Sequence, residues 1–185
     1  MKRRMSIIVL VALLIYLIPA QAFAARKVLS VPEETAQVNC GASCASMVTR
    51  YFKGDTTNRE QLAWDNRTSY NKNCSTHSTS ASWWNCTGYF SVRALSGEQG
   101  GSYSHSNNLS YTTYKNGINA GSPMTIGLNN YIGSVHAIAW KGYDTGTSGT
   151  EQWVIYNDPY DGSGHSATLG WLESNWDIRG YSYWK

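Results

Sequence analysis

The stretch Asn39-Cys40-Gly41-Ala42-Ser43-Cys44 decides the fold of this chain. It opens a segment in which cysteine and apolar residues recur at positions 40, 44, 47, 48, 51 and 52, the spacing of one helical face. This spacing predicts a helix from about Asn39 to about Lys53, ended at Gly54. Asn39 is a good N-cap residue, so the prediction places Cys40 in the first helical turn.

A cysteine in the first turn of a helix is a candidate nucleophile. The unpaired N–H groups and the positive end of the helix dipole favour the thiolate, which is the nucleophilic form of cysteine. Alternatively, Cys40 and Cys44 are buried or disulfide-bonded residues of an ordinary core helix.

The first residues have the pattern of a secretory signal. A basic start, Lys2 to Arg4, precedes an apolar run from Ile7 to Ile18 and the small-x-small patterns Ala20-Gln21-Ala22 and Ala22-Phe23-Ala24. We therefore predict a signal peptide over residues 1–24, cleaved after Ala24, and secreted or periplasmic localisation. The alternative is an uncleaved anchor, but the apolar run is short for a membrane-spanning helix.

Composition excludes some classes of protein. Without residues 1–24 the chain has twelve basic and twelve acidic residues, so we predict no nucleic-acid partner, and no membrane contact once the signal is removed. Residues 25–185 suit one domain with a hydrophobic core. Eight Trp and 13 Tyr argue against disorder; most are expected to fill the core, and the others provide rings for peptide or sugar contacts on a surface or in a cleft.

Four cysteines, at positions 40, 44, 74 and 86, allow three full pairings. One helical turn gives Cys40 and Cys44 poor disulfide geometry. We predict that Cys74 and Cys86 are bonded and that Cys40 and Cys44 are free; the alternative bonds Cys44 to Cys74 or Cys86. The spacing lacks a Cys-x-x-Cys knuckle, so we predict no metal site, and we predict no cofactor.

The remaining pattern is helical first and strand-rich later, which predicts an α+β domain with a largely antiparallel sheet. The segment 97–108 is predicted to be a loop. The expected elements are a helix over 111–119, strands over 124–128, 135–143, 152–157 and 181–184, and a short helical patch over 171–176.

Among the four histidines, His136 lies inside an apolar strand, whereas His77, His105 and His165 lie in predicted loops. A hairpin centred on Thr147 pairs His136 directly with Asp158, whose carboxylate could orient the imidazole. A bulge in the hairpin loop would bring Asn157 into that place instead. His136 could also be a satisfied core residue, and Asp158 a turn-capping one.

The motifs together resemble a known family, the papain-like bacteriocin-processing (double-glycine) peptidases and their free-standing relatives. The segment from Asn39 to Met47 resembles their Asp-Cys-Gly-Ala-Ala-Cys-x-x-Met pattern. Three later segments resemble the Gly-x-Pro strand, the histidine strand and the Asp-Pro-x-x-Gly element; they are 121–127, 136–144 and 156–162.

The resemblance implies a papain-like fold, with the nucleophile at a helix N-terminus packed on a mainly antiparallel C-terminal sheet. Position by position, it makes Cys40 the nucleophile, His136 the general base and acid, and Asp158 the orienting residue. A papain-style alternative makes Cys44 catalytic, but Ala45 follows it where that pattern has Trp.

One position departs from the family pattern. The family has an oxyanion-hole glutamine about six residues before the nucleophile, where this chain has Glu34; Gln37 is the nearby glutamine and the candidate donor. The resemblance implies an exported cysteine peptidase acting on peptide or protein substrates. The alternatives are an inactive papain-like binding module and a cell-wall amidase or transglutaminase-like acyl transferase. Oligomeric state cannot be predicted from the sequence.

Overall fold

The computed structural model describes residues 24–35, 40–54, 103–106, 110–131, 134–162 and 164–184. The predicted signal peptide up to residue 23, Gln37 and the predicted Cys74–Cys86 disulfide lie outside these residues. The described elements, in chain order, are β1 (Arg26–Val28), α1 (Cys40–Lys53), β2 (Tyr103–Ser106), α2 (Tyr111–Asn119), β3 (Met124–Tyr131), β4 (Ser134–Asp144), β5 (Trp153–Asn157), β6 (Gly164–Thr168), α3 (Leu169–Asn175) and β7 (Asp177–Trp184).

The described strands form one antiparallel sheet in the order β2-β7-β3-β4-β5-β6, with β1 also paired to β4. The long strand β4 lies at its centre. Along β4, strand β3 pairs as far as Trp140, and β1 takes over from Gly142 onwards. This arrangement agrees with the predicted α+β class.

Two of the described strands lie in segments that the sequence predicts to be loops. Segment 103–106 lies within a predicted loop but forms β2, and His165 lies in β6. Both strands are rich in Ser, Gly and His instead of β-branched residues, so their local propensity for strand is low. They form because neighbouring strands present unpaired backbone groups, to which β2 pairs on β7 and β6 on β5.

Helix α1 is more deeply buried than a one-face pattern predicts. The described side chains from Ser43 to Thr49 are buried, polar ones included. In contrast, Phe52, which the spacing places on the apolar face, is 41% exposed. The helix ends at Gly54, whose positive φ of 62° and N–H bond to the carbonyl of Arg50 close the last turn. None of the described helices is long and apolar enough to cross a membrane.

Helix α2 packs on the sheet through aromatic residues. Its N-terminus is capped by Ser110, whose side chain accepts a bond from the N–H of Thr113. Tyr114 meets Trp140 of β4 edge-on, with ring centroids 5.0 Å apart, and donates its hydroxyl to the carbonyl of Gly142. These contacts hold β4 from one side, so the strand has a fixed position in the core.

The pairing of β4 with β5 contains a bulge. Near the turn, Tyr143 pairs with Val154 and Gly142 with Ile155, but further along Trp140 pairs with Tyr156. Lys141 is therefore an extra residue on β4. The carbonyl of Lys141 is still hydrogen-bonded, because it accepts a bond of 2.8 Å from the N–H of Leu29.

Residues Leu29–Thr35, which we call the N-terminal strap, are fastened to the elements around the end of β5. The fully buried Asn157 donates from Nδ2 to the carbonyls of Val31, at 3.3 Å, and Pro32, at 3.2 Å. Lys141 bonds Glu33 across 3.4 Å. The same Asn157 nitrogen lies 3.7 Å from the sulfur of Met47, so one side chain joins β5, the strap and α1.

We expect Asn157→Ala to lower the free energy of unfolding by about 2 kcal/mol, because it leaves carbonyls of the strap without their buried donor. Urea unfolding measures this loss. Asn175→Ala is the control: Asn175 also donates to a carbonyl, that of Trp171, but is exposed. Asn175→Ala should lower the free energy of unfolding by less than about 0.5 kcal/mol. Equal losses in the two variants would contradict the role of Asn157.

Candidate active site

Cys40 is the first residue of α1 and is partly exposed, while Cys44, one turn later, is fully buried. Both are free thiols, as predicted. The two cysteines therefore differ in access: a substrate can approach Cys40 but not Cys44.

Electrostatics separate the two cysteines further. Burial raises the pKa of the Cys44 thiol well above its usual value, and the negative charges of Cys40, Asp158 and Glu34 raise it further. Cys44 thus stays a neutral thiol. This argues against the papain-style alternative, in which Cys44 would be the nucleophile.

His136 and Asp158 form a direct, buried pair. Nε2 of the imidazole lies 2.8 Å from Oδ1 of the carboxylate, and the two residues are only 8% and 7% exposed. Cys40 also raises the pKa of His136, so its thiol lies beside the same imidazole. With Nε2 occupied by Asp158, Nδ1 is the nitrogen left for the thiol. The structure therefore brings together the three side chains that the sequence singled out.

Asp158 is held by a tight turn that follows β5. The Oδ1 atom that bonds His136 also accepts the N–H of Tyr160 at 2.9 Å, and the carbonyl of Asp158 accepts the N–H of Gly162 at 2.9 Å. The turn-capping and imidazole-orienting roles considered for Asp158 are thus combined in one residue. The backbone N–H of Tyr160 fixes the carboxylate, a contribution that the sequence did not reveal beyond its Asp-Pro turn pattern.

The register predicted for this contact is wrong, although the contact forms. A hairpin centred on Thr147 makes His136 and Asp158 direct partners, but the observed ladder pairs Ala139 with Asn157. Continued by one residue, this register sets Asp158 opposite Ile138, two positions from His136. The two side chains are then diagonal neighbours on one face, within reach of each other.

The bulge at Lys141 decides which residue meets His136. If the register near the turn continued along the whole hairpin, Asp158 would lie opposite Ala139 and face away from His136, since side chains alternate. The extra residue restores the alternation. Asn157, the fallback orienter, instead bonds the strap and not the imidazole.

The pKa of His136 is set by opposing effects. Burial lowers it, but hydrogen bonds to Asp158 and Cys40 and the negative charge of both groups outweigh burial, so that the pKa of His136 rises from 6.5 to about 9. An imidazolium is therefore stable beside Cys40 at neutral pH.

Glu34 lies near α1, and its charge acts on Cys44. Its carboxylate is 3.9 Å from the guanidinium of Arg50, a neighbour that the sequence gave no means of identifying. Glu34 thus occupies the strap just before the nucleophile, where the family resemblance implies a glutamine. Gln37, the other candidate for the oxyanion hole, lies outside the described residues.

Comparison with known families settles the relationship. A model of the Peptidase_C39 like family matches residues 27–183, which is most of the chain. The chain belongs to this family. No curated protein matches it.

The C39-like fold is also seen among solved structures. The chain is similar to the crystal structure of a Bacillus anthracis protein assigned as a C39-like peptidase, with a TM-score of 0.58. The similarity covers 87% of this chain and 98% of that one, at 15% identity. The resemblance to a papain-like C39 relative is therefore confirmed, and the family indicates cysteine peptidase chemistry.

We expect the pairing of His136 to make stability depend on pH. Folding raises the pKa of His136 from 6.5 to about 9, so the folded state holds the proton more tightly. The stabilisation is complete below pH 6.5 and is lost as the pH rises through about 9. Allowing for solvent screening, this amounts to about 2 kcal/mol.

Urea unfolding across this pH range measures the effect. Asp158→Asn is the matched variant, because it keeps the shape of the side chain but removes the charge that holds the proton. It should be less stable than wild type near neutral pH, and its stability should change less with pH. Identical pH dependence in the two proteins would contradict the assignment.

Proposed function

We propose that this chain is an exported cysteine peptidase that hydrolyses amide bonds through Cys40, His136 and Asp158. The observation that carries the proposal is the 2.8 Å contact between His136 and Asp158, combined with the effect of Cys40 on the pKa of the same imidazole. Membership of the Peptidase_C39-like family supports the same chemistry and a peptide or protein substrate. Export follows from the predicted signal peptide over residues 1–24.

In the proposed reaction, His136 takes the proton of Cys40, and Asp158 holds the resulting imidazolium in place. The thiolate attacks the carbonyl carbon of the substrate amide and forms a carbon–sulfur bond. His136 then protonates the nitrogen as the carbon–nitrogen bond breaks, which releases an amine and leaves a thioester. Water, deprotonated by His136, cleaves the thioester to a carboxylic acid and restores the thiol.

The pKa of His136 suits both proton transfers. At about 9, it allows the imidazole to hold a proton in the resting pair at neutral pH and to deliver it to the leaving amine. Cys44, buried and neutral beneath the site, takes no part in the reaction. Its contribution is to the packing of α1.

We expect Cys40→Ala to abolish hydrolysis of a fluorogenic peptide library, with kcat/KM at least about 1,000-fold lower, since the nucleophile is removed. Cys44→Ala is the control: it should retain activity while it loses some stability. Loss of activity only in the Cys44 variant would overturn the assignment and favour the papain-style alternative.

Thiol reactivity separates an enzyme from an inactive binding module. In the native protein, iodoacetamide should modify Cys40 quickly and leave Cys44 unmodified, because of the two only Cys40 is accessible, and it lies beside an imidazole. His136→Ala should slow the modification of Cys40. If neither cysteine reacted, a binding module would be favoured; hydrolysis limited to cell-wall peptides would favour the amidase.

Glu34 gives a further test of the proposed active site. A carboxylate beside a developing oxyanion repels its negative charge, whereas the N–H group of a side-chain amide can donate a hydrogen bond to the oxyanion. We expect Glu34→Gln to raise kcat about tenfold, as measured on the same peptide library. Glu33→Gln is the matched control, because Glu33 is the preceding residue but bonds Lys141. Lower or unchanged activity in Glu34→Gln would show that Glu34 does not face the oxyanion.

A further inference from the structure

The backbone of Ala25 is held by a single residue, Thr145. The N–H of Ala25 donates to Oγ1 of Thr145 at 2.7 Å. The carbonyl of Ala25 accepts both the N–H of Thr145, at 2.9 Å, and its hydroxyl, at 3.1 Å. Ala25 lies just before β1, so these bonds extend the pairing of β1 with β4 by one residue.

Thr145 is a rigid part of the fold. It directly follows β4 and is 3% exposed. Its carbonyl accepts the N–H of Glu151 at 2.9 Å, which anchors it to the segment before β5. Because both backbone groups of Thr145 are bonded, its hydroxyl is fixed to receive a donor from position 25.

A separate observation points to the same nitrogen. The pattern Ala22-Phe23-Ala24 predicts signal cleavage after Ala24, which turns the backbone nitrogen of Ala25 into the α-amino group of the mature protein. The structure shows that this nitrogen has a buried acceptor, whereas Ala24 before it is exposed.

We propose that Thr145 is the binding site for the amino terminus of the processed protein. An endopeptidase that removes signal peptides hydrolyses the Ala24–Ala25 bond: water adds, Ala24 leaves with a carboxylate and Ala25 gains an ammonium group. The ammonium then takes the place of the amide as donor to Oγ1 of Thr145.

The chemistry of the site favours the processed form. A hydrogen bond from an ammonium is stronger than one from a neutral amide. Because Ala24 is exposed and Ala25 is only partly buried, the charge that cleavage adds can stay hydrated. Asp144, which precedes Thr145 and is paired with Arg26 at 3.7 Å, supplies a negative charge to this end of β4.

Binding of the amino terminus to Thr145 also affects the candidate active site around Cys40. Ala25 leads into β1 and then into the N-terminal strap, which ends close to the nucleophile. A bound amino terminus holds β1 on β4 and thereby fixes the start of the strap.

The first measurement is the intact mass of the exported protein, which should correspond to a chain that starts at Ala25. The second is the rate at which an acylating reagent modifies the α-amino group near neutral pH, where this amine reacts in preference to lysine. In native protein this rate should be about tenfold lower than in urea-unfolded protein, because the amine is bound to Thr145.

Matched proteins identify Thr145 as the cause of the protection. Thr145→Val, which has the same shape but lacks the hydroxyl, should lose most of the protection, and Thr145→Ser should keep it. A protein with wild-type Thr145 that starts at Ala24 carries its α-amino group on an exposed residue, and this amine should also be unprotected. This comparison does not depend on how the Thr145→Val variant folds. A start at another residue, equal rates in native and unfolded protein, or protection in the form that retains Ala24 would overturn the proposal.

Discussion

The one extra residue in β4 is the constraint on which the candidate site depends. Lys141 shifts the pairing of β4 with β5 by one position, and this shift sets Asp158 on the side of the sheet where His136 lies. The bulge does not weaken the sheet at its centre, because the carbonyl of Lys141 bonds Leu29 and its ammonium bonds Glu33. The same residue therefore aligns the histidine–carboxylate pair and receives the segment that leads to the nucleophile.

Two neighbouring residues at the end of β5 bind different parts of the structure. Asp158 bonds the imidazole, and Asn157 bonds the strap and approaches the sulfur of Met47 in α1. Since strand residues alternate in direction, adjacent positions can serve the reacting groups and the scaffold without competing. Cys40, His136 and Asp158, the proposed nucleophile, base and orienting carboxylate, come from distant parts of the chain, and Asn157 and Asp158 are where these parts meet.

The features that could be predicted from the sequence are those with a local signal. The extent of α1 followed from apolar spacing, with Gly54 at its end, whereas the capping bond of Ser110 at the start of α2 was found only in the structure. His136 and Asp158 followed from strand and turn patterns. The bulge did not, because nothing local in Trp140-Lys141-Gly142 requires it; it results from pairing with β1 and the strap. Arg50 beside Glu34 and strand β6 likewise depend on tertiary contacts that a single sequence does not encode locally.

The deep burial of α1 has a consequence for how the protein loses the geometry around Cys40, the proposed nucleophile. A helix whose described side chains from Ser43 to Thr49 are all buried has no solvent-facing stripe there along which it could loosen independently. Rotation or fraying from its first turn would expose several buried side chains at once, including the polar Ser46. The geometry around Cys40 should therefore persist on heating until the whole domain melts, so that inactivation and cooperative unfolding occur at one temperature.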